Sequence, residues 1–223
     1  MKLAVTGGKG GVGKSTVAYN LGAELDGVVV DGDLGMADLP TRRGPDLHDV
    51  LAGRATPAEA VSEAGPVALL PCGRSLAGSR GADPTALVET IDAVERQYGT
   101  VIIDAPAGLR CDVGVALLAA QACLLVTRPT RPAVADALRA RELARAVETP
   151  LAQVVLNRVD GAFSERRLDR LAGTLEGPVT QIPDSVAVRR AQRAGLPVRA
   201  VETAAEATEA FATLAKQVQT GVG

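Results

Sequence analysis

Apolar residues gather along this chain in short unbroken runs, at residues 3–6, 28–30, 67–70, 101–103, 124–126 and 154–156. Runs of this length, rich in β-branched side chains and without polar alternation, predict strands covered on both faces, as in a parallel sheet. The intervening positions follow a different rhythm. Residues 14–25, 85–98, 133–147 and the shorter 165–171 have the length and the Ala, Leu, Arg and Glu content of helices. Strand and helix alternate throughout, which predicts an α/β fold: a mostly parallel twisted sheet with helices on both faces. Near the end, Ala204, Ala207, Phe211, Leu214 and Val218 share one face of a helix over residues 203–219, and that face is expected to pack on the sheet. A short helix over residues 46–51 carries the single histidine, His48, as a surface or packing residue.

The turn-rich clusters around residues 40–45 and 73–84 are short enough to be loops, so residues 1–223 read as one domain. The longest apolar stretches, 113–120 and 122–126, are split by Gln121. Neither approaches the roughly 20 residues that cross a bilayer, so no integral membrane segment is expected. The first residues lack the apolar core of a signal peptide, and three scattered cysteines form neither a disulfide framework nor a CxxC zinc pattern. A reducing cytoplasm is the expected location. Lys and Arg number 24 against 26 Asp and Glu, a net charge of −2, so contact with nucleic acid or anionic lipid would need a local patch. With two Phe, two Tyr and no Trp, base stacking on aromatic platforms is excluded as the main mode of binding.

Between the first strand and the first helix stands Gly8-Lys9-Gly10-Gly11-Val12-Gly13-Lys14-Ser15, which satisfies GxxxxGK[ST] in the strand-to-helix context the motif requires. Polyphosphate needs backbone N–H groups converging without intervening side chains, and the positive end of a helix dipole beneath them. Lys14 adds a cation for the β and γ phosphates. Ser15 offers a hydroxyl to Mg²⁺, and Thr16 reaches the α phosphate from the first helical turn. A phosphate loop and a P-loop NTPase fold follow.

Lys9 is a second lysine inside the loop, and KGGVGKST is a deviant form of the motif. It resembles the loop of the MinD/ParA family of dimerising ATPases, and the likeness runs from Lys2 to about Val201. Asp31-Gly32-Asp33 through Asp38 is similar to the family's first switch, and the resemblance implies that Asp33 orients the attacking water near the γ phosphate and helps hold the metal. Asp38 stands where relatives often carry Asn. The strand ending in Asp104, followed by Pro106 and Gly108, resembles a Walker B strand with its second switch, which implies a magnesium-binding role for Asp104. The segment from Leu124 through Pro129 to Asp136 resembles the strand, loop and helix beside the nucleotide. Asn157 and Arg158 match the family's adenine contact, and Pro183 and Asp184 the backbone that lines the base. Unaided, the Asn157 carboxamide suits adenine, because it donates and accepts at once; a loop-capping side chain is the other reading. The implied cofactors are ATP and Mg²⁺. The implied partner is a second copy of the chain, brought face to face by ATP so that Lys9 of each subunit reaches the phosphates of the other.

Several branches of that family fit in part. The tail has one lysine, Lys216, and one phenylalanine, so it encodes no stable membrane anchor, and membrane contact is expected to be weak or through a partner. Arg166, Arg167 and Arg170, and Arg189, Arg190 and Arg193, could contact DNA phosphates nonspecifically, or merely solvate outer helix faces and pair with Glu165, Asp169 and Asp184. Cys111, seven residues after Asp104, together with Cys72 raises the alternative of an iron–sulfur or metal cofactor-insertion ATPase. A further alternative is a nucleotide-binding scaffold with little turnover. The expected role is an ATP-dependent switch in spatial organisation, such as division-site positioning or chromosome and plasmid partitioning, working with a protein activator or cargo.

Overall fold

The computed structural model describes residues 1–34, 39, 44–73, 83–108, 111–161, 163–203 and 205–222. Seven parallel strands form one sheet in the order β3-β2-β4-β1-β5-β6-β7. They are β1 (Lys2–Thr6), β2 (Val28–Asp31), β3 (Ala68–Leu70), β4 (Val101–Asp104), β5 (Ala122–Thr127), β6 (Leu151–Val159) and β7 (Val179–Pro183). The helices that matter for the site are α1 (Lys14–Leu25), α2 (Leu47–Leu51), α3 (Pro57–Ala60), α4 (Leu87–Tyr98), α5 (Cys111–Leu118), α6 (Arg131–Ala146), α7 (Glu165–Leu175) and α8 (Val186–Ala194). Two more, α9 (Val198–Val201) and α10 (Glu206–Val222), follow among the described residues.

Successive strand residues point to opposite faces, and the core divides accordingly. Leu3, Val5, Val29, Ile102, Leu124 and Val126 pack against Val17 and Leu21 of α1 and against Phe211, Leu214 and Val218 of α10. Val28, Val30, Val101 and Ile103 face the other way, onto Leu47 and Leu51 of α2 and Leu87, Ile91 and Val94 of α4. Each fully buried Val, Leu or Ile contributes about 1.5–3 kcal/mol, so a core almost without aromatics is adequate. The expected tail face is confirmed at Ala207, Phe211, Leu214 and Val218, all buried. Ala204 and Asp38 lie outside the described residues.

The structure adds elements that the apolar runs did not reveal: strand β7 and helices α3, α5, α8 and α9. Strand β7 buries only Thr180 and Ile182, while Val179, Gln181 and Pro183 are half-buried, as suits a sheet edge. Helix α5 occupies part of the 113–120 stretch that read only as an apolar run; Val113, Ala116 and Leu117 are its buried face. Helix α7 also runs on to Leu175, past the expected end.

Strand order concentrates the chemistry. β1 lies between β4 and β5, and the carboxyl ends of all seven strands point the same way. Pairing sets Val5 level with Asp104, and Asp104 level with Asp31. The loops after β1, β2 and β4 therefore meet on one rim, where the chain switches direction across the sheet.

Candidate functional site

The loop leaving β1 is shaped by close approach. A Cβ at Gly8 would stand 1.9 Å from the backbone oxygen of Asp136 on α6, so only glycine lets the loop lie on that helix. Gly13, at φ 101, caps α1 in the left-handed region, and a Cβ there would meet Asn157 Nδ2 at 2.2 Å. Gly10 differs. A Cβ on it would touch no protein atom within 4 Å, yet Gly10 lines a cavity of about 230 Å³. The protein gives no steric reason for glycine at that position; unobstructed amides facing a phosphate do.

That cavity is bordered by Gly10, Gly11, Gly13, Lys14, Ser15 and Thr16 from the loop and α1, Asp33 after β2, Asp104 at the end of β4, and Arg158 and Gln192. Lys14 is 8% exposed and Asp104 3%. Charges this buried are costly to leave uncompensated, and opposite signs share one small space here. Asp31, fully buried, organises the turn after β2: Asp33 N donates to its Oδ1 at 3.3 Å and Leu39 N to its Oδ2 at 3.5 Å.

Lys9 lies elsewhere. Its ammonium is 3.4 Å from Asp136 Oδ2 and its side chain is 43% exposed, and it does not border the cavity. Asp136 also accepts from Arg139 Nη1 at 2.8 Å. An exposed pair of this kind contributes at most about 1 kcal/mol, so Lys9 is held but readily released.

Asn157 is buried, and its carboxamide is engaged with backbone: Nδ2 donates to Val12 O at 2.9 Å and Oδ1 accepts from Arg158 N at 2.9 Å. In this state it clips β6 to the glycine loop. Pro183 ends β7 beside Val159, the Asp184 amide donates to Val159 O, and its carboxylate pairs with Arg189. Asp184, Arg128, Arg158, Arg189, Gln192 and Arg193 line a second cavity of about 540 Å³, which shares Arg158 and Gln192 with the first. Asp31, Arg128 and Gln192 were given no role of their own in the sequence, although Asp31 lies in the segment that resembles the first switch and Arg128 in the one that resembles the strand, loop and helix beside the nucleotide.

Cys72, Cys111 and Cys123 are free thiols. Cys72 is 1% exposed, and burial, reinforced by the carboxylates of Asp31, Asp46 and Asp33, pushes its thiol up to about 12. Cys111 is exposed at the start of α5. Among the described residues no three His, Cys, Asp or Glu side chains converge as metal ligands. His48 is buried, 2% exposed, and so is not a surface residue. Both arginine clusters are solvent-exposed on α7 and α8, with Arg167 stacked 5.7 Å over Phe163. No helix among the described residues is long and apolar enough to cross a membrane, and the apolar face of α10 is already spent on the core.

A family model described as the CobQ/CobB/MinD/ParA nucleotide binding domain matches residues 3–198. The chain is 34% identical to the uncharacterized ATP-binding protein MJ0169 of Methanocaldococcus jannaschii, over 96% of this chain and 86% of that protein. The crystal structure of the cell division ATPase MinD from Pyrococcus furiosus matches at 30% identity with a TM-score of 0.88, covering 98% of each chain. Septum site-determining MinD from Pyrococcus horikoshii, complexed with Mg-ADP, matches at 29% identity and a TM-score of 0.88, covering 99% of this chain and 96% of that one. With the glycine loop and both strand-end carboxylates inside the matched span, this chain belongs to the MinD/ParA family of nucleotide-binding domains.

Proposed function

We propose that the chain is a MinD/ParA-like ATPase, a dimerising molecular switch driven by ATP and used in spatial organisation in the cytoplasm. The observation that carries this reading is the single cavity in which Lys14, Ser15, Asp33 and Asp104 meet a loop of glycine amides. The ATP-binding relative and the Mg-ADP complex of Pyrococcus horikoshii MinD support it. The oxygen donors of Ser15, Asp33 and Asp104 suit a hard divalent cation, and the open approach at Gly10 suits a phosphate chain. Bound to those three residues, Mg²⁺ would neutralise charge on the β and γ phosphates.

The loop amides from Gly8 to Gly13 and the amino end of α1 hold the polyphosphate, with Lys14 on the β and γ groups and Thr16 on the α group. Asp33 orients the water that attacks the γ phosphorus. A bond forms to the water oxygen, the bond to the β–γ bridging oxygen breaks, and ADP and phosphate result. Asn157, Arg158, Pro183 and Asp184 border the base side. Lys9 leaves Asp136 when two ATP-loaded copies meet and reaches the partner's phosphates, where negative charge builds during transfer. Hydrolysis thereby depends on assembly. The arginines of α7 and α8 are the candidate surface for nonspecific DNA contact, a protein activator or cargo completes the cycle, and membrane association runs through a partner.

Size exclusion with light scattering under ATP, ADP and no nucleotide, run beside steady-state phosphate release, tests the reading. Dimer mass with ATP alone, and turnover lowered by Lys9→Ala with monomer nucleotide binding preserved, are the expected results. A chain that stays monomeric in ATP and releases no phosphate with or without DNA, vesicles or candidate activators would be a scaffold instead.

A further inference from the structure

The one histidine of the chain is buried where no part of the proposed catalytic machinery uses it. His48 sits in α2, 2% exposed, with Nε2 3.0 Å from the carbonyl oxygen of Leu34 and 3.4 Å from Cys72 Sγ. A carbonyl only accepts, so the hydrogen bond to Leu34 requires the proton on Nε2. Nδ1 is buried without a hydrogen-bond partner among the described residues. The Cys72 thiol, pushed up by burial, stays neutral beside the ring.

The frame around the imidazole is rigid. Asp46 caps α2 by accepting from Asp49 N at 3.2 Å, while Asp49 Oδ2 accepts in return from Asp46 N at 3.2 Å. Leu47 N donates to Pro71 O at 2.9 Å, which ties α2 to the residues following β3. A Cβ on Gly73 would stand 2.4 Å from His48 Nδ1, so the ring is also enclosed from the Cys72 side. The turn it holds is also tied by backbone, with Gly32 N donating to Asp104 O at 3.0 Å and Leu34 N to Gly32 O at 3.1 Å. Leu34 directly follows Asp33, and two side-chain bonds from Asp31 to this segment are long, at 3.3 and 3.5 Å. The 3.0 Å contact from His48 is the shortest of these side-chain contacts.

We infer that His48 is a positioning residue for Asp33: its Nε2–H anchors the Leu34 carbonyl, one residue beyond Asp33, and so steadies the turn that carries Asp33 at the rim of the phosphate cavity. This rests on the proposed ATPase reading for its consequence, though not for its geometry. Loss of the anchor would leave the glycine loop and Lys14 intact and loosen only the residue that orients water. The expected signature is a fall in kcat with little change in nucleotide affinity.

Two substitutions separate this from a packing role. Glutamine places an amide donor near the position of Nε2, whereas asparagine is too short to reach Leu34. His48→Asn is expected to lower kcat about tenfold, the effect of losing one such bond, with ADP affinity within about twofold of wild type; His48→Gln should restore most of the turnover. Equal turnover in the two variants, or a loss confined to affinity, overturns the inference. Two readouts are independent of turnover. Long-range ¹H–¹⁵N spectra of the wild-type ring should show the Nε2–H tautomer, and the Nδ1–H tautomer overturns the inference. Hydrogen exchange across residues 31–34 with a nonhydrolysable ATP analogue should be slower in wild type and His48→Gln than in His48→Asn, and equal exchange in all three overturns it. If wild type hydrolyses nothing, the ATPase reading falls, and the tautomer and exchange results decide for or against His48 on their own.

Discussion

Lys14 is nearly buried at the first position of α1, so its charge is useful only to a ligand that enters the cavity. Lys14→Ala is expected to weaken ATP binding by about 10- to 100-fold, the range for one charge-assisted contact. Titration calorimetry reads this, and unchanged affinity would remove the phosphate role. Asp136→Asn acts in the opposite sense. It releases Lys9 from an exposed pair that contributes at most about 1 kcal/mol in each subunit, and a dimer frees two such lysines, so ATP-dependent dimerisation should occur at up to about thirtyfold lower protein concentration. Light scattering over a dilution series checks this. The thiols make a third prediction. Burial pushes Cys72 and Cys123 up to about 12, whereas Cys111 is exposed. A thiol reagent at neutral pH should label one cysteine in the folded chain and all three once it is denatured. Both buried thiols hold their protons more tightly folded than unfolded. Their contribution to stability is therefore complete below the ordinary thiol value of 9.0 and declines as pH rises toward 12.

At the level of elements, most of the sheet was legible because a strand covered on both faces must be apolar at every position. Six strands contain such an apolar run, although β1 opens on Lys2, β2 and β4 end in Asp, and β6 also carries Gln153, Asn157 and Arg158. Strand β7 escapes it, since an edge strand needs only alternate burial and tolerates Gln181 and a terminal Pro183. Helix α5 was hidden for the converse reason: its residues are so uniformly apolar that no helical period stands out from the run. The tail was legible because α10 is amphipathic, with Phe211, Leu214 and Val218 at helical spacing and fully or almost fully buried. Phe211→Ala should cost about 3–5 kcal/mol by removing a large side chain from between α10 and the sheet, and thermal or denaturant unfolding measures it. The bond from Asn157 to Val12 ties β6 to the glycine loop, a tertiary link that local sequence does not encode.

Across the whole molecule, the site divides between what spacing reveals and what topology supplies. The glycine loop is contiguous and follows a strand, so its chemistry could be read from eight residues. Asp31 and Asp104 become neighbours only because β2 and β4 pair in register. Arg128 after β5, Arg158 near the end of β6 and Gln192 on α8 come from three separate elements that the strand order brings to the same rim. The position of β1 in that order governs more than geometry. Lys2 pairs with Val101, and Leu3 with Ala122, so the first strand has both its neighbours far downstream. The strand that presents the phosphate loop is thus made before either of the strands that flank it, and its described setting is complete only when residues about a hundred positions downstream have been added.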